Sequence, residues 1–202
     1  MYDIGKRIID IVGASLLLLI FLPLLAVVAV LIVIDSGLPV FYRCERVGRG
    51  GVAIRILKFR TMRNGSHGEL AGLLSADKER QMEYEHRRKL RNDPRRTRVG
   101  AFLRRSSIDE LPQLLNVVWG TMSLVGPRPY LAHELEGLPE AAELLNMRPG
   151  LTGMWQVSGR SERSFEERVA LEVGYVRSRS ARLDLIIAFR TIRAVIGGQG
   201  AY

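Results

Sequence analysis

IVGASLLLLIFLPLLAVVAVLIVI, Ile11 to Ile34, holds no charged residue. As a helix rising about 1.5 Å per residue it is long enough to reach across the hydrocarbon core of a bilayer. Pro23 stands in the middle of the run. There it removes an intrahelical hydrogen bond and crowds the preceding turn, so that each half is about half a membrane deep. Lys6 and Arg7 precede the segment, and Arg43, Arg46 and Arg49 follow it. Basic flanks favour the cytoplasmic side, so both ends are expected on one face. The reading is therefore a proline-broken re-entrant membrane helix over residues 1–36, with Pro23 at its deepest point. A kinked helix that spans is the alternative, because proline is tolerated in spanning helices. A cleaved signal peptide fits poorly: the run is too long and no small-x-small site precedes the arginines.

The 202 residues leave room for one compact domain beyond this helix, expected over residues 37–202. With 30 Lys and Arg against 21 Asp and Glu the formal charge is +9, which points to anionic partners: lipid headgroups, phosphorylated small molecules or nucleic acid. Cys44 is the single cysteine, so no intrachain disulfide can form. His67, His86 and His133 lack metal-ligand spacing.

Pro39 to Arg43 and Val52 to Arg60 read as extended runs around the turn-rich Val47 to Gly51, a β-hairpin. Asn64 to Ser75 reads as a mobile loop and Asp77 to Asn92 as a charged helix, either solvated or touching an anionic membrane surface. Helices are expected over Arg98 to Arg105 and Ser107 to Trp119, then loops at VGPRP, Val125 to Pro129, and RPGLTG, Arg148 to Gly153. Ser164 and Glu167 have capping-box spacing and predict a helix start. In Leu183 to Ile196 a stripe of Leu185, Phe189, Ile192 and Ile196 suits a core helix or one lying on a membrane. The fold class is α+β, mainly helical, with a short hairpin and amphipathic interfacial helices around a small cytosolic catalytic domain.

Chemistry concentrates in SSIDELPQLLNVVWGTMSLVGPRP, Ser106 to Pro129. Ser107 and Glu110 have capping-box spacing, which would put Asp109 and Glu110 in the first turn of a helix, where an ionised carboxylate is favoured. Acidic residues are ordinary helix starts, but here Arg98, Arg104 and Arg105 lie upstream and Arg128 sits in a Pro-Arg-Pro loop downstream. Carboxylates among arginines suit a phosphate substrate. Adjacent helical residues point about 100° apart, so the two do not face each other across a bond like a glycosidase pair. Separate tasks fit better: one attacks phosphorus while the other holds a divalent cation.

The chain resembles the bacterial sugar transferase family, the monotopic phosphoglycosyl transferases that begin glycoconjugate assembly. The likeness rests on the proline-interrupted apolar helix, LKFRTM at Leu57 to Met62, SSIDELPQLLNVVWG at Ser106 to Gly120, and MSLVGPRP at Met122 to Pro129. It continues through RPGLTGMWQVSGRS at Arg148 to Ser161, LDL at Leu183 to Leu185, and the terminal Gly200-Ala201-Tyr202. The resemblance implies transfer of a sugar phosphate from a UDP-sugar to a polyprenyl phosphate such as undecaprenyl phosphate, with release of UMP. It makes Asp109 the nucleophile that forms a covalent phosphosugar intermediate and Glu110 the Mg²⁺ ligand. Lys58, Arg60 and Arg128 would neutralise phosphates, and Arg148 and Arg160 would hold the nucleotide. Asp184 in LDL is a weaker candidate that could equally cap the last helix. The form of TGMWQVSGRS resembles members that transfer hexose phosphates. The family's setting implies the bacterial inner membrane, with anionic lipids in contact and the catalytic domain on the cytoplasmic face. Two departures stand out: Leu22 rather than a small polar residue precedes Pro23, and Arg177 to Arg182 replaces the aromatics common before LDL. A membrane-anchored nucleic-acid-binding protein is the alternative raised by the charge. It lacks a helix-turn-helix, zinc-finger or RNP pattern, and aromatics are only 7%, few for base stacking, so no nucleic acid is expected. A non-catalytic membrane scaffold is the third reading.

Overall fold

A computed structural model describes residues 2–66, 68–87, 90, 92–159 and 163–197. Helix α1, Tyr2–Ser36, runs through Pro23 without interruption. The ring's fixed φ is already helical, and the missing N–H deprives only the Leu19 carbonyl of its rung.

One face of α1 lies against the rest of the protein along its whole length. Ala14, Leu17 and Leu18 pack with Leu114, Val117 and Met122, while Leu24, Leu25, Val28 and Ile32 pack with Phe59 and Leu103. The other face is bare: Ile4, Ile8, Val12, Leu16, Leu19, Ile20, Val27, Val30 and Ile34 are all exposed. Helix α1 is long and apolar enough to cross a membrane, and a flank of this size left in water would be a large uncovered patch.

Polar contacts fix both ends to the same body. Near the start, the Arg7 guanidinium donates to the Val117 and Val118 carbonyls at 2.6 and 2.9 Å. The buried Asp10 carboxylate accepts from the Ser123 hydroxyl and the Leu124 N–H at 2.8 and 2.9 Å. At the far end Asp35 accepts from the Val99 N–H at 3.3 Å.

Strands β1, Phe41–Val47, and β2, Ala53–Phe59, form the expected antiparallel hairpin, with Phe41 opposite Phe59 and a 3₁₀ turn at Arg49–Gly51. Pairing begins beyond Pro39, which has no N–H for a ladder. Asn64 to Ser75, expected as a loop, contains helix α2, Glu69–Ala76. Leu70, Ala71, Leu73 and Leu74 are good helix formers, and they outweigh the single internal Gly72. Helix α3, Lys78–Arg87, falls inside the expected charged segment, with the Asp77 carboxylate accepting from the Glu79 and Arg80 N–H groups. Helix α4, Arg98–Ser106, is capped by the Thr97 hydroxyl, which accepts from the Gly100 N–H at 2.9 Å.

Past the short helix α5, Gln113–Trp119, strand β3, Ser123–Val125, pairs in parallel with β4, Gly150–Thr152, so the expected loop at Arg148 to Gly153 contains a strand, while the one at Val125 to Pro129 follows β3 as irregular chain. Their backbones meet where only glycine fits, since a Cβ on Gly150 would lie 2.2 Å from the Gly126 nitrogen. Helices α6, Ala132–Leu135, and α7, Ala141–Leu144, lie between those strands in sequence. Helix α8, Phe165–Ser178, carries the predicted Ser164–Glu167 capping box. Helix α9, Ala181–Gly197, buries Ile187 and exposes Leu185, Phe189 and Ile192, so that stripe faces outward. The Ile196 side chain lies outside the description. The fold is α+β and mainly helical with small sheets, as expected.

Candidate active site

The sequence predicts one helix from Ser107 to Trp119, but the structure divides it into a 3₁₀ turn, Ile108–Glu110, and α5. Pro112 has no N–H to give the Ile108 carbonyl, so an α-helix cannot run through this point with its rungs intact. The Ser107–Glu110 capping box is therefore absent. Ser107 has φ 58°, a left-handed conformation sparsely populated by non-glycine residues, and its N–H donates to the Arg104 carbonyl at 3.2 Å to close α4. Asp109 and Glu110 stand in a tight turn rather than at a helix N-terminus, which removes the dipole argument for their ionisation.

Ile108 anchors the turn beside Phe59 and Leu103. Asp109 is buried, whereas the Glu110 side chain is 37% exposed and pairs with Lys58 of β2 at 2.6 Å. Glu110 also acts electrostatically on Arg128. Arg104 reaches the Thr61 hydroxyl with its Nε at 3.0 Å.

The remaining predicted residues lie elsewhere. Arg60 is buried, and its guanidinium donates to the carbonyls of Ser36, Gly37 and Leu38 at the end of α1 and to the Asn64 side chain. Arg148 donates from Nε to the Gly120 carbonyl at 2.8 Å, at the end of α5 away from the carboxylates. Arg160 lies outside the described residues. Asp184 does not cap α9, because the Ser180 hydroxyl accepts from the Leu183 N–H instead. Its carboxylate pairs with Lys6 at 2.8 Å and accepts from the Tyr2 and Tyr175 hydroxyls at 2.9 and 2.6 Å.

Residues of α8 and the chain after β3 surround Arg128, and the motifs do not announce them. The Arg128 N–H donates to Glu172 of α8 at 3.0 Å, and Tyr130 donates its hydroxyl to the same carboxylate. Burial pushes the Glu172 carboxyl up to about 7, against the pull of those two donors and of Arg168 and Arg128. The Arg168 guanidinium lies over the rings of Phe165, Tyr130 and Trp155 and pairs with Glu134 at 3.2 Å. Burial opposes ionisation of Glu134, yet the Leu131 N–H and Arg168 hold its carboxyl below the usual range. One signal was available: Val169, Glu172, Val173 and Val176 share a helical face, so a carboxylate occupies a core position.

No three of His, Cys, Asp and Glu converge on a metal cage among the described residues. Mg²⁺ does not need one, because it is commonly held by one or two carboxylates with water and substrate phosphates completing its shell. Glu110, a partly exposed oxygen donor beside Lys58, fits that arrangement.

The chain matches the family model for bacterial sugar transferase over residues 1–198. It is 45% identical over 199 residues to the exopolysaccharide production protein ExoY of Rhizobium meliloti, covering 98% of this chain and 88% of that protein. It is 42% identical over 198 residues to the undecaprenyl-phosphate galactose phosphotransferase of Salmonella typhimurium, covering 98% of this chain and 41% of that longer one. With the UDP-glucose:undecaprenyl-phosphate glucose-1-phosphate transferase of Caulobacter vibrioides it shares 39% identity over 209 residues, 99% of this chain and 73% of the relative.

Proposed function

The chain belongs to the bacterial sugar transferase family, and from that premise we propose that it transfers a hexose 1-phosphate from a UDP-sugar to undecaprenyl phosphate, releasing UMP and starting exopolysaccharide or glycan assembly. The observation that carries the reading is the Asp109 turn: Ser107 in a left-handed conformation leads into two adjacent carboxylates, of which Glu110 pairs with Lys58 and acts on Arg128, on a body that carries a bare apolar helix. The Asp109 carboxylate attacks the phosphorus that bears the sugar. A bond forms from Asp109 to phosphorus, the bridging P–O bond breaks, and UMP leaves with that electron pair. A phosphate oxygen of the polyprenyl acceptor then attacks the same phosphorus, frees Asp109 and yields the diphosphate-linked sugar lipid. Lys58 and Arg128 offset the charge on the phosphoryl oxygens, and Glu110 would hold Mg²⁺. When bound, the ion spreads that charge as a Lewis acid.

Helix α1 enters and leaves by one face in this reading, with the body on the cytoplasmic side of the inner membrane. Support comes from Lys6 and Arg7 at one end and Asp35 at the other, all held by the same domain.

The test is exchange of labelled UMP into the UDP-sugar without lipid acceptor. Exchange should require Asp109 and Mg²⁺, vanish in Asp109→Asn and stop on chelation. Exchange that appears only with undecaprenyl phosphate present would favour direct transfer through a ternary complex.

A further inference from the structure

Among the described residues no carboxylate pairs directly with the Arg128 guanidinium, although the charges of Glu110 and Glu134 reach it. Among the described residues its guanidinium has no hydrogen bond and no ion pair, and its Nε is shut off from solvent without a partner. What it has is a ring: its central carbon lies over Trp155, 5.0 Å from the centroid. Trp155 is 6% exposed, packed into the interior.

Arg168 shares the ring at 5.7 Å but is treated differently. Its charge is met by Glu134 at 3.2 Å and its guanidinium is enclosed by Phe165 and Tyr130 at 4.7 and 5.0 Å. Glu172 takes the Arg128 backbone N–H at 3.0 Å, fixing the root of the side chain without a hydrogen bond to its guanidinium. Glu110, whose charge reaches Arg128, is already met by Lys58 at 2.6 Å.

A carboxylate would hold a guanidinium tightly but would compete with an incoming phosphate for the same donors. An aromatic face attracts the cation through its quadrupole and leaves the N–H edge unused. We propose that Trp155 is a positioning residue for Arg128, its indole face fixing the guanidinium so that the cation meets a donor phosphate oxygen with its charge unspent. The inference rests on the activity proposed above, and binding measurements separate the two.

The experiment uses the full chain in detergent, with UDP and inorganic diphosphate as probes in titration calorimetry, and UMP exchange measured in parallel. The variants are Trp155→Leu, Trp155→Phe, Arg128→Ala and the double variant Arg128→Ala/Trp155→Leu. Trp155→Leu should weaken UDP binding about tenfold, the size of a partly desolvated cation–π contact. Trp155→Phe keeps a ring and should stay within about threefold of the parent. In the Arg128→Ala background Trp155→Leu should cost nothing more, since the group it positions is gone. An equal loss in both backgrounds, or equal losses for Phe and Leu, would overturn the proposal in favour of simple packing. A parent protein that binds neither probe also overturns it. Binding that follows the expected pattern without UMP exchange would sustain the positioning role and defeat the activity reading alone.

Discussion

Glu172 is a carboxyl group on the core face of α8, and its surroundings make stability depend on pH. Burial lifts its carboxyl from 4.5 to about 7, so the folded state binds this proton more tightly than the unfolded chain does. Its contribution is complete below about pH 4.5, falls as pH rises and is gone above about pH 7, a span on the order of 3 kcal/mol. Glu172→Gln mimics the protonated form. Its melting temperature should lack the decline that the parent shows between pH 4.5 and 7, and parallel curves would show that the carboxyl does not titrate there. Residue chemistry was legible where it clustered along the chain: Glu110, Lys58 and Arg128 were named from sequence, and Glu110 pairs with Lys58 and acts electrostatically on Arg128. Glu172, Arg168 and Trp155 were not, because their meaning comes from stacking and burial between segments far apart in the chain.

The elements divide along the same line. The hairpin, α4 and the start of α8 are local elements, set by a turn-rich stretch, a short helical run and a Ser–Glu box, and the sequence predicts each. The β3–β4 pair joins segments about 25 residues apart through glycines whose purpose is close approach, so no short-range signal predicts it. Arg60 illustrates how an element can claim a candidate site residue. Its donors are spent on the last carbonyls of α1, so Arg60→Met, which keeps the stem and removes the head, should cost about 2 kcal/mol of stability. UDP affinity should change little in the folded fraction. A stable Arg60→Met protein with weakened UDP binding would return this arginine to the substrate.

Across the whole molecule, the sequence revealed an apolar helix with basic flanks but not that one body grips both its ends. The re-entrant proposal draws on that grip, since a body on one side of a bilayer cannot hold both ends of a helix that spans it. Asp3→Cys and Val52→Cys, each in a Cys44→Ser background, should react with an impermeant thiol reagent only once the inner face is opened. Labelling of Asp3→Cys in intact cells, with Val52→Cys protected, would establish a spanning helix instead. The cluster that closes the near end joins Tyr2 and Lys6 to Asp184, across sequence separations of 182 and 178 residues. During synthesis the apolar segment therefore emerges long before its latch exists. The part of the chain that meets lipid first is fastened in stages: Arg7 and Asp10 find their partners once residues 117–124 are made, whereas Tyr2 and Lys6 must wait for α9.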